Sequence, residues 1–263
     1  MSKSYFAVSA RTAIGLTRSG NEDSALTSSS LLAVADGMGG HAGGEVASQI
    51  AIKTLATMVP MFTAPEIDTD SIEDLLLNSL HTIDAEISRV ASDEIELRGM
   101  GTTLTALLIR DERVALLHVG DSRCYRLRGN TFEQLTNDHT VLQELLDSGT
   151  ISMSEAADHP QRSMLTQVLM GEGSVAPVLM VYEVNSKDRF LLCSDGLSSV
   201  LTEKEIKSLL KKSNRDEAVL ALVEATYVNG APDNVTVVVA DVIDTEEHNL
   251  SLIHISEPTR LRR

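Results

Sequence analysis

Two apolar runs in this chain end the same way. "LLAVADG" (31–37) and "FLLCSDG" (190–196) each carry four apolar residues, one small residue and then Asp-Gly. Short runs this apolar read as buried strands, so the pattern sets a carboxylate where a strand leaves the core. "LLHVGDSR" (116–123) places Asp121 at the end of a third run, and "GAPDNVTVVV" (230–239) places Asp233 at the start of a fourth. "RSGNED" (18–23) sets Glu22 and Asp23 side by side ahead of the first. Taken singly, an Asp-Gly at a strand end is a turn, because aspartate caps and glycine supplies positive φ. Repetition at the ends of the most apolar strands asks for more, since solvated turn aspartates have no reason to choose those places. Strand ends at one edge of a sheet gather residues distant in sequence. Carboxylates gathered there repel and raise one another's pKa unless cations neutralise them.

Such a ligand set is all oxygen, which selects Mg²⁺ or Mn²⁺ over Zn²⁺. Two such ions ~3.5–4 Å apart are a common device for in-line displacement at phosphorus. The rival reading lies in the glycines after Asp36, five of them between residues 37 and 44. Residues 37–42, Gly-Met-Gly-Gly-His-Ala, satisfy the dinucleotide-binding pattern between a strand and a helix. Asp36, directly before the first glycine, would face a pyrophosphate with like charge. No second strand ending in an acidic residue follows the helix, and no Gly-Lys-Ser/Thr completes a P-loop. The metal reading is favoured.

Net charge is −16 and the pI about 4.8, which argues against nucleic acid and anionic membrane surfaces as partners. Cys124 and Cys193 lie inside apolar stretches, which suits a reducing cytosol better than a disulfide framework. Neither has the arginine six residues on that a phosphate-clamping cysteine nucleophile wants; Asn130 and Ser199 stand there. No run approaches the ~18 apolar residues of a membrane span. A cytoplasmic location is the expectation.

Along the chain, the pattern predicts strands at 5–10 and 30–36, a helix over 45–59, and a loop over 62–70. A second helix carries the stripe Ile72, Leu75, Leu76, Leu80, Ile83, Ile87 and Val90, with Ser71 and Asp74 as its N-cap. Strands are expected at 102–110, 113–120 and 123–136, with turns at Asp111-Glu112 and Gly129-Asn130. A polar, helical stretch fills 137–170, followed by strands at 177–184 and 189–195. Helices near 202–212 and 216–228 precede a last strand at 234–243. Strands in antiparallel-looking pairs with helices bunched between them are not the alternation of a doubly wound sheet. One domain over 1–245 is expected. The basic stretch 249–263 fits poorly in an acidic protein and is set aside as a non-native or disordered tail.

In order, "GLTRSGNED", "VADGMGGHAGGEVAS", "MGTTLTALL", "HVGDSRCYRLR", "LTNDHT", "HPQRSMLTQVL", "LLCSDGLS" and "PDNVTVVV" resemble the PPM family of metal-dependent serine/threonine protein phosphatases (type 2C), and the DGMGGH form its bacterial branch. The resemblance implies an α+β fold, a four-layer α-β-β-α sandwich of two antiparallel sheets flanked by helices. A flap over about 140–170 would lie beside the site. It implies Mn²⁺ or Mg²⁺, two ions in the core site and a weaker third. By motif position, Asp36 bridges the two ions, with the Gly37 carbonyl and Glu22 on one and Asp195 and Asp233 on the other. Asp121 joins Asp195 at the third site, and Asp23 supports the others through water. Arg18 clamps the substrate phosphate.

The implied reaction is hydrolysis of phosphoserine and phosphothreonine in proteins by direct attack of a metal-bridging hydroxide, reversing a Ser/Thr kinase. The expected partners are phosphoproteins and that kinase, and the expected state a monomer. The chain departs from the family in having Thr12-Ala13-Ile14-Gly15 where Thr-Asp often precedes the glycine. It also has Met38 where animal members place a histidine. His41 is then the nearest candidate for protonating the leaving alkoxide, and His118 reads as a core histidine.

Overall fold

A computed structural model describes residues 4–40, 42–64, 71–156 and 159–244; the stretch set apart above, 249–263, lies outside them. The first half runs β1 (Ser4–Ala13), β2 (Asp23–Thr27), β3 (Leu31–Met38), α1 (Gly43–Phe62), α2 (Ile72–Asp93) and a 3-10 turn (Ile95–Leu97). Next come β4 (Gly101–Thr102), β5 (Leu104–Arg110), β6 (Arg113–Val119), β7 (Arg123–Arg128) and β8 (Thr131–Gln134). The remainder is α3 (Val141–Asp147), α4 (Met153–Ala156), β9 (Val178–Glu183), β10 (Arg189–Cys193), α5 (Asp195–Ser198), α6 (Glu203–Leu210), α7 (Arg215–Val228) and β11 (Val235–Asp244). One sheet has the order β1-β11-β10-β7-β8 and the other β2-β3-β5-β6-β9, with β4 paired to β3. Every strand pair is antiparallel.

The sheets stack face to face with helices outside, which is the expected four-layer α+β sandwich. Alternate residues of one strand serve different layers. Phe190 and Leu192 of β10 enter the core between the sheets, while Leu191 and Cys193 meet α5, α6 and α7. In β3, Leu32 and Val34 face the other sheet, and Leu31, Ala33 and Ala35 face α1 and α2. Covered on both faces, these strands read as unbroken apolar runs although their pairing is antiparallel. Without tryptophan, the intersheet core is aliphatic around one edge-to-face pair, Phe6 and Phe190, 6.1 Å apart. The α2 stripe is as expected, with Ile72, Leu76, Leu80, Ile83 and Ile87 buried and Leu75 and Val90 partly so.

Several local expectations are corrected. Ser71 sits in the right-handed helical region and makes no side-chain cap bond, so it does not start α2 as an N-cap. α1 continues past the expected end through Pro60 to Phe62. β2 and α5 have no counterpart among the elements expected from the pattern. The largest correction is 159–170, expected to be helical, which forms no helix. Thr140 bridges Leu165 and Thr102 bridges Leu169, both antiparallel, so pairing to neighbouring segments overrides the helical spacing of its apolar residues.

The segment after those bridges is pinned from α2. Buried Asp84 accepts the Gly171 N–H on Oδ1 (2.7 Å) and the Gly173 N–H on Oδ2 (2.8 Å). Gly171 has φ +78°, and a Cβ there would meet the Ser88 backbone at 2.5 Å. Asp84→Ala should lower stability by about 2–3 kcal/mol, the scale for hydrogen bonds to a charged acceptor. A urea melt checks this: the midpoint falls and the slope is unchanged.

Candidate metal centre

The glycines after Asp36 serve close approach. A Cβ on Gly37 would lie 2.0 Å from the Gly44 carbonyl oxygen and 2.6 Å from that of Glu22; one on Gly44 would lie 2.9 Å from Glu22 Cδ. Bare backbone therefore lets the first turn of α1 pack onto the end of β3 and onto the Glu22 segment. The Glu22 carbonyl accepts the Gly37 N–H (3.2 Å) and the Ser48 hydroxyl (2.6 Å).

The structure brings the carboxylates together. Asp23 and Asp36 are direct partners across the β2–β3 pair, a like-charge juxtaposition that costs stability unless offset. Asp195 opens α5 where β10 ends, Asp121 lies between β6 and β7, and Asp233 precedes β11. Asp23 is buried; Glu22, Asp36, Asp121, Asp195 and Asp233 are half-buried and keep an opening to solvent. Withdrawal from water holds the Asp36 carboxyl well above the usual range, and the charges of Asp23, Asp195, Asp121 and Asp233 each push it further. Asp195 is raised by burial and then by Asp233, against a hydrogen bond with Asp36 that pulls it down. Asp121 is pushed up to about 7, by burial first and then Asp195. Burial also raises Glu22.

Asp23 is raised to about 7 by burial, against hydrogen bonds from Thr236 and Ser194 that pull it down. Its Oδ2 accepts from Ser194 Oγ (2.7 Å), while its buried Oδ1 has no partner among the described residues. The cluster converges without closing. Among the described residues, no three acidic or imidazole side chains form a ready-made coordination group. Asp233 Oδ2 accepts instead from Arg18 Nη2 at 2.7 Å, which raises the guanidinium pKa. The Arg18 loop is docked there by the Leu16 N–H on the Ala231 carbonyl (2.7 Å) and the Thr17 hydroxyl on the Pro232 carbonyl.

Sequence reasoning missed the residues that hold this arrangement. Asn234 donates to the Gly20 carbonyl (2.8 Å) and accepts the Glu22 N–H (2.9 Å), tying the 20–22 turn to β11. Thr12 bridges Asn21 and Thr236. The Asp36 N–H donates to Thr103 Oγ1 (3.0 Å), and that hydroxyl lies 2.8 Å from Ser122 Oγ, next to Asp121. Asn234 and Ser122 lie beside motif aspartates and Thr103 inside the motif "MGTT", so adjacency was the available signal for them, while Thr12 carried none.

Beside Asp121 and Asp195 opens a cleft of about 810 Å³, walled by α3, α4, Arg162 and Ser163. Described residues from 140–156 and 159–163 thus line the cleft, with Asp195 and Ser198 also on its wall. His118 is buried as expected: Nδ1 meets Thr105 Oγ1 (2.9 Å), Nε2 meets the Asn137 carbonyl (3.1 Å), and burial lowers its pKa to about 3. His41 lies outside the described residues.

The family model for protein phosphatase 2C matches residues 20–227. Serine/threonine protein phosphatase PstP of Mycobacterium tuberculosis is 45% identical over 238 residues, 89% of this chain and 45% of that protein, so the chain spans less than half of that relative's length. Serine/threonine phosphatase stp of Listeria monocytogenes is 38% identical, over 80% of this chain and 84% of its own. Among solved structures, the M. tuberculosis phosphatase PstP/Ppp superposes with a TM-score of 0.85 at 42% identity, covering 90% of this chain and 98% of that one. The PstP catalytic domain in complex with two manganese ions gives 0.84 at 41%, covering 92% and 100%. Sandwich, motif order and the gathered carboxylates agree with these likenesses: the chain belongs to the protein phosphatase 2C family.

Proposed function

We propose that this chain is a metal-dependent protein phosphatase that hydrolyses phosphoserine and phosphothreonine in proteins, opposing a Ser/Thr kinase. The observation that carries the reading is the gathering of carboxylates from four other segments around Asp36, each driving its pKa up. The donor set fits divalent cations. It is all oxygen, it includes a buried oxygen on Asp23 with no partner among the described residues, and it crowds Asp36 with four other carboxylates that raise its pKa. Cations would offset that crowding, and the water between them and Asp23 would satisfy its oxygen. Mn²⁺ or Mg²⁺ suits such donors, and the PstP domain solved with two manganese ions supports two as the number.

In this reading Asp36 would hold both ions. Glu22 and the Gly37 carbonyl would join it on one, Asp195 and Asp233 on the other. Asp121 with Asp195 would hold a weaker third, and Asp23 acts through water. When bound, the ions supply charge that offsets the phosphoryl oxygens and lower the pKa of water. Arg18, with a half-exposed side chain, exchanges Asp233 for a phosphoryl oxygen, to which its fork offers several donors. Water gives a proton to solvent as it attacks phosphorus in line with the Ser/Thr oxygen, the P–O bond to that oxygen breaks, and the leaving alkoxide takes a proton from His41. No phosphoenzyme forms.

A cytoplasmic monomer is the setting we propose. Cys124 and Cys193 are free and buried, and no helix among the described residues is long and apolar enough to cross a membrane. Phosphate release from a phosphothreonine peptide tests the activity. Turnover in MnCl₂ should fall to background in EDTA and return with excess Mn²⁺; turnover that survives EDTA overturns the reading.

A further inference from the structure

The edge of the first sheet opposite the carboxylates carries a second charged feature. There an open groove of about 520 Å³ is bounded by the start of β10, the end of β11 and the α6–α7 loop. Five cations line it, Lys187, Arg189, Lys211, Lys212 and Arg215, against one carboxylate, Asp241. Such a concentration of positive charge is unexpected in a chain of net charge −16.

One carboxylate answers five cations, and two of the five have no side-chain partner among the described residues. Arg189 is spent: it grips Asp241 through two bonds (2.5 and 2.8 Å) and donates to the carbonyls of Leu210, Lys212 and Ser213, fixing the loop. Arg215 takes a further bond to Asp241 at 3.1 Å, and its shielded Nε meets no acceptor among the described residues. Lys211 reaches only a neutral partner, Asn130 Oδ1 at 2.9 Å. Lys187 and Lys212 are exposed, and their ammonium groups make no hydrogen bond or ion pair among the described residues. Asp188, next to Lys187, is buried and bound by Arg128 (2.7 and 2.6 Å). Asp216 and Glu217 follow Arg215 but do not line the groove.

Lys187 also has φ +74°. Glycine or asparagine takes that left-handed conformation at less cost, while lysine gives up about 1 kcal/mol of backbone energy there. The strain holds an unpaired cation at the mouth of a cationic groove.

We propose that this groove docks a peptide segment of a partner protein that carries closely spaced anionic side chains, carboxylate or phosphate. The cations are spread along an open groove and present no convergent cradle, which suits an extended oligoanion better than a single phosphate. A flat anionic bilayer does not enter a concavity, and a duplex would bring its whole charged length against an acidic protein. A short acidic segment meets only the local field. β10 separates the two sites, since Arg189 opens it and Asp195 follows its end. At ~3.3 Å per residue that is about 20 Å, so docking is independent of the metal centre and of the activity proposed above.

The test is fluorescence anisotropy on the full chain in EDTA, where the proposed activity is off. Three labelled peptides are compared: a Glu/Asp-rich one, the same peptide with two phosphothreonines, and a neutral analogue. Both anionic peptides should bind saturably, weaken with salt, and lose about tenfold or more in affinity in Lys187→Glu/Lys212→Glu. The neutral peptide should not bind. Tighter binding of the phosphorylated peptide identifies phosphate as the preferred anion, and parity identifies charge alone. Hydrolysis of p-nitrophenyl phosphate in MnCl₂ should be unchanged in the double variant. Lys187→Gly should raise the melting temperature while weakening the peptide. Equal affinity in the wild-type and double-variant chains overturns the proposal. So does tighter, lysine-dependent binding of duplex DNA or phosphatidylserine vesicles, which would assign the groove to a different class of ligand.

Discussion

Asp36→Asn should abolish phosphate release, by about 10³-fold or more, and at the same time stabilise the metal-free protein near pH 8. The first effect follows from position. Asp36 is the carboxylate on which four other acidic groups act, and removing one preorganised electrostatic group from a reaction centre costs ~10²–10³ in rate. The second follows from the same crowding, because asparagine has nearly the same shape and no charge to desolvate or repel. The gain is read as a rise in the urea midpoint above that of the parent chain. Asp195→Asn should behave alike, since it shares the hydrogen bond with Asp36. Phosphate-release assays paired with urea melts in EDTA check both. Loss of rate together with loss of stability would mean that these aspartates are structural.

The metal-free protein should lose stability as pH rises from about 4 to about 8, the reverse of a protein whose carboxylates are ion-paired. Asp23 and Asp121 titrate near 7 in the folded chain and near 3.9 unfolded. Between those values the folded state binds more protons, so the slope of unfolding free energy with pH is negative. The contribution is fully present below about pH 4 and is lost through pH 7. It amounts to a few kcal/mol, since each tenfold difference in proton affinity between the folded and unfolded chain is worth about 1.4 kcal/mol. MnCl₂ should reverse the trend, because cations displace those protons and bind only the folded chain. Saturation a hundredfold above Kd adds about 2.7 kcal/mol. Thermal melts from pH 4.5 to 8.5 in EDTA and in MnCl₂ read this directly: the two curves should diverge as pH rises. Parallel curves would show that protons and ions do not compete for these groups.

The fold was legible where a strand is covered on both faces. β3 and β10 announce themselves because nothing polar interrupts them, and their terminal aspartates then stand out. β2 did not, being five residues at a sheet edge of which only Asp23 is fully buried. The apolar residues of 159–170 suggested a helix because spacing along a chain is silent about a bridge to Thr102 or Thr140. At the site, the residue types and their convergence were readable, since carboxylates at buried strand ends have few other uses. Their supports were not. Asn234, Thr12 and Ser194 act across about 170 to 220 residues of sequence, and a polar side chain carries no mark of which distant group it meets. The ion pair of Arg18 with Asp233 was unreadable for the same reason.

The proposed metal centre belongs to neither sheet alone. Asp23 and Asp36 lie in the β2–β3 pair, Asp195 and Asp233 adjoin β10 and β11, and Asp121 sits where the chain crosses from one sheet to the other. Cations held there would rivet the two halves of the sandwich. Amide hydrogens in both sheets should then slow their exchange together when Mn²⁺ is added, and no partial opening that slides one sheet off the other could keep the ions. Two fragments that divide the chain between β6 and β7 would each be a poor metal binder, and their mixture should recover affinity only by rebuilding the entire sandwich.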